Sequence, residues 1–301
     1  MSADKLEQLR KLIRSYGSCL VAYSGGVDSV FLAFVARDVL GQRSLAVIAD
    51  SPSLPRRELA EALDIAVRFR IPVRVVCTQE FENANYVANP NNRCYFCKHE
   101  LFTELEPLAR GGGYAVIVYG ENASDVGDFR PGAKAAAEFR VRAPLKEVGL
   151  TKAEIRCLSA EFGLPTADKP QMACLSSRIP YGEEVTPEKL TMVERAELFL
   201  RDLGFHDVRV RMHELVSSSP MPGAGRKGSL LETRKQEAES KRYLARIEVG
   251  VTELPKLMEG ENYQRVAEAL RKIGYAHVTL DLQGYRRGSL NETPNTIRKS
   301  V

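Results

Sequence analysis

A short glycine-containing segment near the N-terminus has the residue types of a phosphate-binding loop. The apolar run 19–23 precedes this segment, and a second apolar run begins at Val30. Glycines allow backbone N–H groups to turn toward an anion, and a helix N-terminus favours negative charge. A plain tight turn, with a side chain capping the following helix, is the alternative interpretation. The residues of the predicted phosphate cradle are Ser24, Gly25, Gly26, Val27, Asp28 and Ser29.

Three cysteines could supply thiolates to a metal ion or a cluster. Cys94 and Cys97 form a Cys-x-x-Cys pair with His99 close by, and Cys174 lies in an irregular polar segment. Thiolates at this spacing can share one metal, and a third could complete three corners of a [4Fe–4S] cluster. A reduced, partly buried thiol pair is the alternative. The other cysteines lie in predicted strands or a helix and are expected to be core residues: Cys19, Cys77 and Cys157.

A charged strand pattern in the second half of the chain could bind an anion. Arg209 and Arg211 alternate with valines, and Arg246 and Glu248 alternate with apolar residues in a later segment. Period two places alternate residues on one face of a strand, so pairing would gather Arg209, Arg211 and Glu248. Arginine forks suit phosphate and carboxylate groups. A solvated sheet face with a surface ion pair is the alternative.

The predicted helices and strands that position these residues follow different patterns in the first and second halves of the chain. Short apolar strands alternate with helices in the first half, which predicts an α/β fold with a parallel, doubly wound sheet. Ligands bind such sheets at the carboxyl ends of strands, where both the Ser24 loop and Asp50 lie. Two similar helix–Gly–aromatic–strand units predict a smaller C-terminal α+β domain. We expect domains at residues 1–165 and 166–301, with a surface insertion at about 214–241.

Composition narrows the class of protein. The 301 residues are 44% hydrophobic and 27% charged, which is typical of a folded globular chain. A net charge of +4 is too small for a dedicated nucleic-acid binder. No apolar run has the length of a membrane span, and the N-terminus lacks a signal core, so we expect a cytoplasmic protein. The motif G-x-G-x-x-G at residues 223–228 follows no strand and is rejected as a dinucleotide site.

The Ser24 segment resembles the PP-loop, SGGxDS, of ATP pyrophosphatases, and the chain as a whole resembles the LarE family of ATP-dependent sulfur transferases. The segment Ala173-Cys-Leu-Ser-Ser-Arg-Ile-Pro-Tyr-Gly182 is the most specific match. The sequence departs from the family pattern at residues 119–122, Tyr-Gly-Glu-Asn in place of Asp-Gly-Thr-Asn, and in the insertion. The matching segments are residues 22–29, 49–56, 93–98, 127–132, 143–146, 150–155, 173–182 and 209–211.

The resemblance implies an adenine nucleotide alpha hydrolase-like fold that uses ATP and Mg²⁺. It also implies adenylation of a carboxylate of pyridinium-3,5-biscarboxylate mononucleotide and its conversion to a thiocarboxylate, in nickel-pincer cofactor biosynthesis. By this resemblance Ser177 and Arg178 hold the substrate phosphate, and the reaction site is lined by Glu197, Arg209, Arg211 and Glu248. In one branch of the family the cysteine matching Cys174 gives up its own sulfur, and in another three cysteines carry a [4Fe–4S] cluster.

The sequence is also compatible with three other functions. An amidotransferase-type synthetase would need an ammonia-supplying domain, and a tRNA thiolase would need a more basic surface. A nucleotide-binding sensor without catalysis would need only the phosphate-binding loop. We expect a small-molecule nucleotide substrate and a homo-oligomer, with no nucleic-acid or membrane partner.

Overall fold

The computed structural model describes residues 2–125, 131–170, 173–215 and 241–286. The chain divides into two compact units, Met1–Cys174 and Leu175–Val301, whereas the sequence predicts a boundary after residue 165. Within the described ranges no helix combines the length and the apolar character that a membrane span requires.

The first unit contains a four-stranded sheet in which all strand pairs are parallel. The strand order is β3-β2-β1-β4, so β1 pairs with β2 on one side and with β4 on the other. The strands are β1 (Cys19–Ala22), β2 (Ser44–Asp50), β3 (Val73–Cys77) and β4 (Val116–Tyr119). The helices are α1 (Ser2–Tyr16), α2 (Val27–Leu40), α3 (Arg56–Arg68), α4 (Ala84–Val87), α5 (Arg93–Gly111), α6 (Pro131–Glu138), α7 (Pro144–Glu147) and α8 (Lys152–Glu161).

Alternate side chains of the central strands enter two separate apolar cores. Val21 of β1 packs in the core that contains α1, α2, α3 and α8, and Leu20 packs in the core that contains α5 and α6. A strand places successive side chains on opposite faces of its sheet, so each face needs its own layer of helices. The predicted α/β fold with a doubly wound parallel sheet is confirmed.

The second unit contains a three-stranded sheet and three helices among the described residues. Strand β6 pairs antiparallel with β5 and parallel with β7. Each of the two predicted helix–strand units is present, because α9 leads to β5 and α11 leads to β7. The elements are α9 (Pro187–Asp202), β5 (Val208–Leu215), β6 (Arg242–Val249), α10 (Leu254–Met258), α11 (Asn262–Ile273) and β7 (His277–Leu280).

Two details differ from the sequence predictions. Cys77 and Cys157 are exposed rather than core residues, because β3 is the edge strand and Cys157 lies on the outer face of α8; Cys19 is buried as expected. Glu214 and Leu215, the first residues of the predicted insertion, belong to β5. The rest of that insertion up to residue 240, including the glycine segment 223–228, lies outside the described residues.

Candidate functional site

The Ser24 loop connects the carboxyl end of β1 to the start of α2. Helix α2 begins at Val27. Its N-cap residue is Gly26, which has no side chain that could cap the first N–H groups of the helix. The first N–H groups of a helix lack intrahelical partners, so they can bind an anion. The turn requires glycine at position 25, because its φ is +71° and a Cβ there would lie 2.7 Å from Ala62 Cβ. The loop therefore has the backbone of a phosphate cradle.

The two serines of the loop hold its shape. Ser29 Oγ accepts a hydrogen bond from the Ser24 backbone N–H at 3.1 Å and lies 3.0 Å from Ser24 Oγ. Ser29 Oγ also donates to the Gly26 carbonyl at 3.1 Å. Ser29 lies inside the first turn of α2 rather than at its N-cap. Its hydroxyl therefore links the end of the loop to Ser24 at the start. Such internal bonds pre-organise the loop before a nucleotide arrives.

A lysine that sequence reasoning did not single out lies at the mouth of the loop. Lys152 Nζ donates to Asp28 Oδ2 at 2.6 Å, and Lys152 is the first residue of α8. Both side chains are partly exposed, at 29% and 20%. The pair joins residues 124 positions apart, which no local motif could reveal. It brings a cation and a carboxylate together beside the phosphate cradle.

Asp50 ends β2, the strand next to β1, as the sequence predicts. Its Oδ1 accepts a bond from Arg56 Nη1 at 2.5 Å, and Arg56 Nη2 donates to the Ser51 carbonyl at 2.7 Å. The Tyr23 N–H donates to the Val47 carbonyl at 2.9 Å, which extends the β1–β2 pairing to the start of the Ser24 loop. Asp50 and the loop thus lie at the carboxyl edge of the parallel sheet, where ligands of such folds bind.

The three predicted cluster cysteines are neighbours in the first unit. Cys94 and Cys97 lie near the start of α5, and each of them interacts electrostatically with Cys174. Desolvation by the surrounding chain, followed by the Cys174 thiol, raises the pKa of Cys94. Desolvation also raises the pKa of Cys97, as do Glu80 and the other two thiols. Cys94, Cys97 and Cys174 form a group, the cysteine trio, in which Cys174 disfavours ionisation of the other two thiols.

His99, the other candidate ligand from the sequence, packs against aromatic rings. His99 packs its ring against Tyr95 and Phe139, with ring centroids at 5.8 and 5.0 Å. Among the residues that the structure describes, no three His, Cys, Asp or Glu side chains are arranged around a single ion position.

A buried acid beside the cysteine trio also escaped sequence reasoning. Glu80 is 2% exposed, and its Oε1 accepts a bond from Ser53 Oγ at 3.1 Å. Ser53 Oγ is 2.8 Å from Ser51 Oγ, so a short polar chain runs from the end of β2 to Glu80. Glu80 Oε2 has no hydrogen-bond partner in the described part of the chain. The sequence Gln79-Glu-Phe-Glu82 gives no signal that one of its acids is buried.

Lys169 links the segment that leads to Cys174 with the phosphate cradle. Its Nζ lies 2.6 Å from Glu58 Oε2, 3.2 Å from Glu61 Oε2 and 3.5 Å from the Gly25 carbonyl. Arg156 Nη2 donates to the Lys169 carbonyl at 2.8 Å and holds the backbone of the same segment on α8. The ion pairs therefore tie this segment to α3 and to the loop.

The predicted residues of the second unit form two buried, bidentate ion pairs. Arg178 donates to both oxygens of Glu197 at 2.8 and 3.0 Å, and Arg211 donates to both oxygens of Glu248 at 2.8 and 3.3 Å. Arg211 Nη1 also donates to the Ser177 carbonyl at 2.8 Å. Arg178, Arg211 and Glu248 are each 1% exposed, so the solvated surface pair that the sequence left open is excluded.

Arg209 completes this group on the same strand. It is 7% exposed, and its guanidinium lies over the Tyr285 ring with Cζ 4.6 Å from the ring centroid. The β5–β6 register places Arg209 opposite Glu248 and Arg211 opposite Arg246. The structure thus gathers Arg209, Arg211 and Glu248 on one sheet face.

Comparison with known proteins identifies the family. No family model matches the chain. An uncharacterised protein of Synechocystis sp. is 43% identical over 97% of this chain and 98% of its own length. The pyridinium-3,5-bisthiocarboxylic acid mononucleotide synthase of Lactiplantibacillus plantarum is 30% identical over 97% of this chain and 95% of its own length. The chain belongs to the LarE family.

More distant relatives of this LarE family member share only part of its length. The glutamine-hydrolysing GMP synthase of Aeropyrum pernix is 27% identical over 67% of this chain and 42% of its own length. These relatives and the parallel sheet support the assignment of this LarE family member as an ATP-dependent enzyme of the PP-loop type. The same relationships favour an enzyme over the non-catalytic sensor.

Proposed function

We propose that the chain is a sulfurtransferase that uses ATP to convert a carboxylate of pyridinium-3,5-biscarboxylate mononucleotide to a thiocarboxylate. The observation that carries the proposal is the presence of a phosphate cradle and a cysteine trio in one compact unit. The similarity to the Lactiplantibacillus plantarum synthase over nearly the whole of both chains supports the choice of substrate.

The first half-reaction activates the carboxylate. A carboxylate oxygen attacks the α-phosphorus of ATP, the bond to the bridging oxygen breaks, and pyrophosphate leaves. The loop N–H groups and Lys152 stabilise the negative charge of the departing pyrophosphate. Asp28 is suited to hold the Mg²⁺ that accompanies ATP, and Asp50 lies at the same edge of the sheet. The product is an acyl-adenylate, in which AMP is a good leaving group.

The second half-reaction delivers sulfur to the acyl carbon with loss of AMP. We propose that Cys94, Cys97 and Cys174 hold a [4Fe–4S] cluster. When bound, the cluster would supply one iron without a protein ligand, where a sulfide can bind as the sulfur source. In the competing route the Cys174 thiolate attacks the acyl carbon, loss of its Cα proton breaks the Cβ–S bond, and dehydroalanine remains.

The test of the overall function is pyrophosphate release with and without the pyridinium substrate. We expect release that depends on pyridinium-3,5-biscarboxylate mononucleotide, followed by a thiocarboxylate product detected by mass spectrometry. Release that is independent of this substrate, or that requires ammonia or tRNA, would contradict the proposal and favour another PP-loop reaction.

The test of the sulfur source compares single cysteine variants purified without oxygen. If the trio holds a cluster, Cys94→Ser, Cys97→Ser and Cys174→Ser should each lose most of the bound iron and sulfide. Cys77→Ser and Cys157→Ser are matched controls, because these cysteines are exposed and lie outside the trio. Dehydroalanine at position 174 in iron-free, reacted protein would refute the cluster and leave the sulfurtransferase function intact.

A further inference from the structure

The loop that follows β4 lies against the phosphate cradle. A Cβ on Gly120 would lie 3.0 Å from the Ser29 backbone nitrogen and 3.1 Å from Asp28 Cβ. A larger residue at this position would therefore have to displace the first turn of α2. Further along the same loop, Ser124 Oγ accepts the Lys152 N–H at 3.0 Å. The loop thus contacts both elements that carry the Asp28–Lys152 pair, the start of α2 and the start of α8.

Glu121, the residue after Gly120, is a buried carboxylate with two different donors. It is 7% exposed; its Oε2 accepts a hydrogen bond from the Tyr119 hydroxyl, and its Oε1 accepts one from Lys146 Nζ at 2.8 Å. The Lys146 side chain is 42% exposed, so the lysine reaches the carboxylate from the solvent side. A buried carboxylate needs such partners, and the Lys146 charge also offsets the repulsion that Glu121 would exert on a nearby phosphate.

The packing of Tyr119 fixes the direction of its hydroxyl. Tyr119 is the last residue of β4, and its backbone lies in register with Ala22 of β1. Its ring contacts the Phe102 ring edge to face at 6.3 Å, and Lys98 Nζ lies 5.4 Å from the Tyr119 ring centroid. Both neighbours belong to α5. The ring is therefore held by contacts other than Glu121, and its hydroxyl is pre-organised for the carboxylate.

Tyr119 and Glu121 are also the two residues at which this segment departs from the pattern Asp-Gly-Thr-Asn. That pattern has a carboxylate at the first position and a hydroxyl at the third, whereas this chain has the hydroxyl first and the carboxylate third. The structure shows that the two exchanged groups are hydrogen-bonded to each other. A change at one position alone would leave two carboxylates or two hydroxyls, so the two departures belong together.

We infer that Tyr119 and Glu121 are positioning residues of the phosphate cradle, and that their departures from the family pattern compensate each other. The bond between them spans Gly120, so it holds the backbone of Gly120 against Asp28 and Ser29. The pair acts through this backbone contact rather than by touching the reacting atoms. The inference rests on the use of ATP, and neither the sulfur acceptor nor the sulfur source enters it.

The experiment measures binding of two probes by calorimetry, the non-hydrolysable α,β-methylene analogue of ATP and pyrophosphate, each with Mg²⁺. Tyr119→Asp should weaken binding of both probes by about tenfold, because it brings two carboxylates together beside the cradle. Glu121→Thr should have an effect of similar size, because it removes the acceptor that Tyr119 and Lys146 share. The double variant again has one carboxylate and one hydroxyl, so we expect it to bind both probes within about threefold of the wild type.

Two tyrosine variants isolate the hydroxyl from the ring. Tyr119→Phe keeps the ring contacts and should weaken both probes by about threefold, the effect of losing one hydrogen bond. Tyr95→Phe is the matched control, because the Tyr95 hydroxyl donates to Glu138 Oε2 at 2.8 Å in an exposed contact between α5 and α6. The thermal midpoint of every variant is measured as well, since a network with a merely structural role lowers the midpoint without changing affinity.

Four results would overturn the inference. They are losses that add in the double variant, a loss for the ATP analogue without a loss for pyrophosphate, lowered midpoints with unchanged affinities, and a wild-type protein that binds neither probe. The last result would also contradict the use of ATP. Failure of the proposed sulfurtransferase is seen separately, as pyrophosphate release that does not depend on the pyridinium substrate, and it leaves these binding results valid.

Discussion

The ion pair at the candidate nucleotide site and those in the second unit differ in their exposure to solvent. They therefore differ in how easily a ligand can replace one partner. The pair of Lys152 and Asp28 is partly open to solvent, so water and phosphate can compete for both partners. The pair of Arg178 and Glu197 is buried, with side-chain exposures of 2% and 8%. Removing one partner from a buried pair leaves an uncompensated charge, whereas an exposed pair is easily exchanged for a ligand.

Lys152→Met is expected to raise the KM for ATP about tenfold, with a smaller effect on kcat, because Lys152 contributes charge to phosphate binding. The measurement is steady-state pyrophosphate release at varied ATP concentrations. Lys241→Met is the control, since the Lys241–Glu214 pair is also partly exposed, at 40% and 26%, and belongs to the second unit. An unchanged KM for ATP in Lys152→Met would remove this lysine from the nucleotide site.

Glu197→Gln is expected to lower the free energy of unfolding by about 3 kcal/mol, because the buried Arg178 guanidinium would lose its bidentate carboxylate partner. Glu197 Oε1 also accepts the Val210 N–H at 3.0 Å, which adds to the loss. Denaturant unfolding measures the change. Arg209→Met removes no ion pair among the described residues and should cost much less, so equal losses in the two variants would contradict the assigned role of the Arg178–Glu197 pair.

At the scale of elements, the N-terminus of α8 is held by a capping box and by α1. Thr151 Oγ1 accepts the Glu154 N–H at 3.3 Å, and the Thr151 N–H donates to Glu154 Oε2 at 2.9 Å. Lys5 of α1 reaches Glu154 at 2.8 Å. Because Lys152 is the first residue of α8, these contacts also fix the residue that meets Asp28. The cap therefore supports the nucleotide site as well as the helix.

Glu154→Gln is expected to lower the free energy of unfolding by about 1 kcal/mol at pH 7, the usual effect of losing a cap. The Lys5 ammonium, followed by the Thr151 N–H and hydroxyl, lowers the pKa of Glu154 from 4.5 to about 2. A lowered folded-state pKa gives stability that is present above 4.5 and is lost as the pH falls toward 2.

Denaturant unfolding across this pH range tests the assignment. The difference between wild type and Glu154→Gln should shrink as the pH falls from 4.5 toward 2. Glu161→Gln, at the exposed end of the same helix, should show almost no difference at any pH. A Glu154→Gln difference that stays constant down to pH 2 would mean that the carboxylate charge is not what stabilises the cap.

Local patterns predicted the elements that carry the Ser24 loop and the cysteines, but not how distant elements meet. The apolar run 19–23 and the glycines after it are contiguous, so the strand, loop and helix could be predicted from the sequence. The Lys152–Asp28 pair joins residues 124 positions apart and depends on how α8 packs on α2. The exposure of Cys77 depends on strand order, because only an edge position exposes β3. Strand order and packing are tertiary properties that periodicity does not encode.

At the scale of the whole molecule, the two units use different sheet architectures for different tasks. The parallel sheet of the first unit offers loops at its carboxyl edge, whereas the mixed sheet of the second unit presents charged side chains on its face. The second arrangement needs buried ion pairs to keep those charges inside a folded domain. Each unit thus places its polar groups differently, at strand ends in the first unit and on a sheet face in the second.

Replacing residues 217–240 with a short Gly-Asn-Gly connection is expected to change the thermal midpoint by only a few degrees. Leu215 pairs with Arg242 in the antiparallel β5–β6 register, so the two strand ends already lie close enough for a short turn. Loop length contributes little beyond closure entropy. The measurement is thermal unfolding together with the mass in solution. An insoluble product, or a changed oligomeric state, would show that the replaced residues pack or form a subunit contact.

The strand order of the first unit also determines when the protein becomes competent during its synthesis. β1 lies between β2 and β4, so one of its edges waits for residues 116–119 to leave the ribosome. The lysine that meets Asp28 emerges later still, at position 152. A nascent chain that lacks residues 116–119 has an open edge at β1, and one that lacks Lys152 has an incomplete candidate nucleotide site. We therefore expect that ATP does not stabilise the early chain, and that the β1 edge is open to pairing with other chains until β4 has been translated.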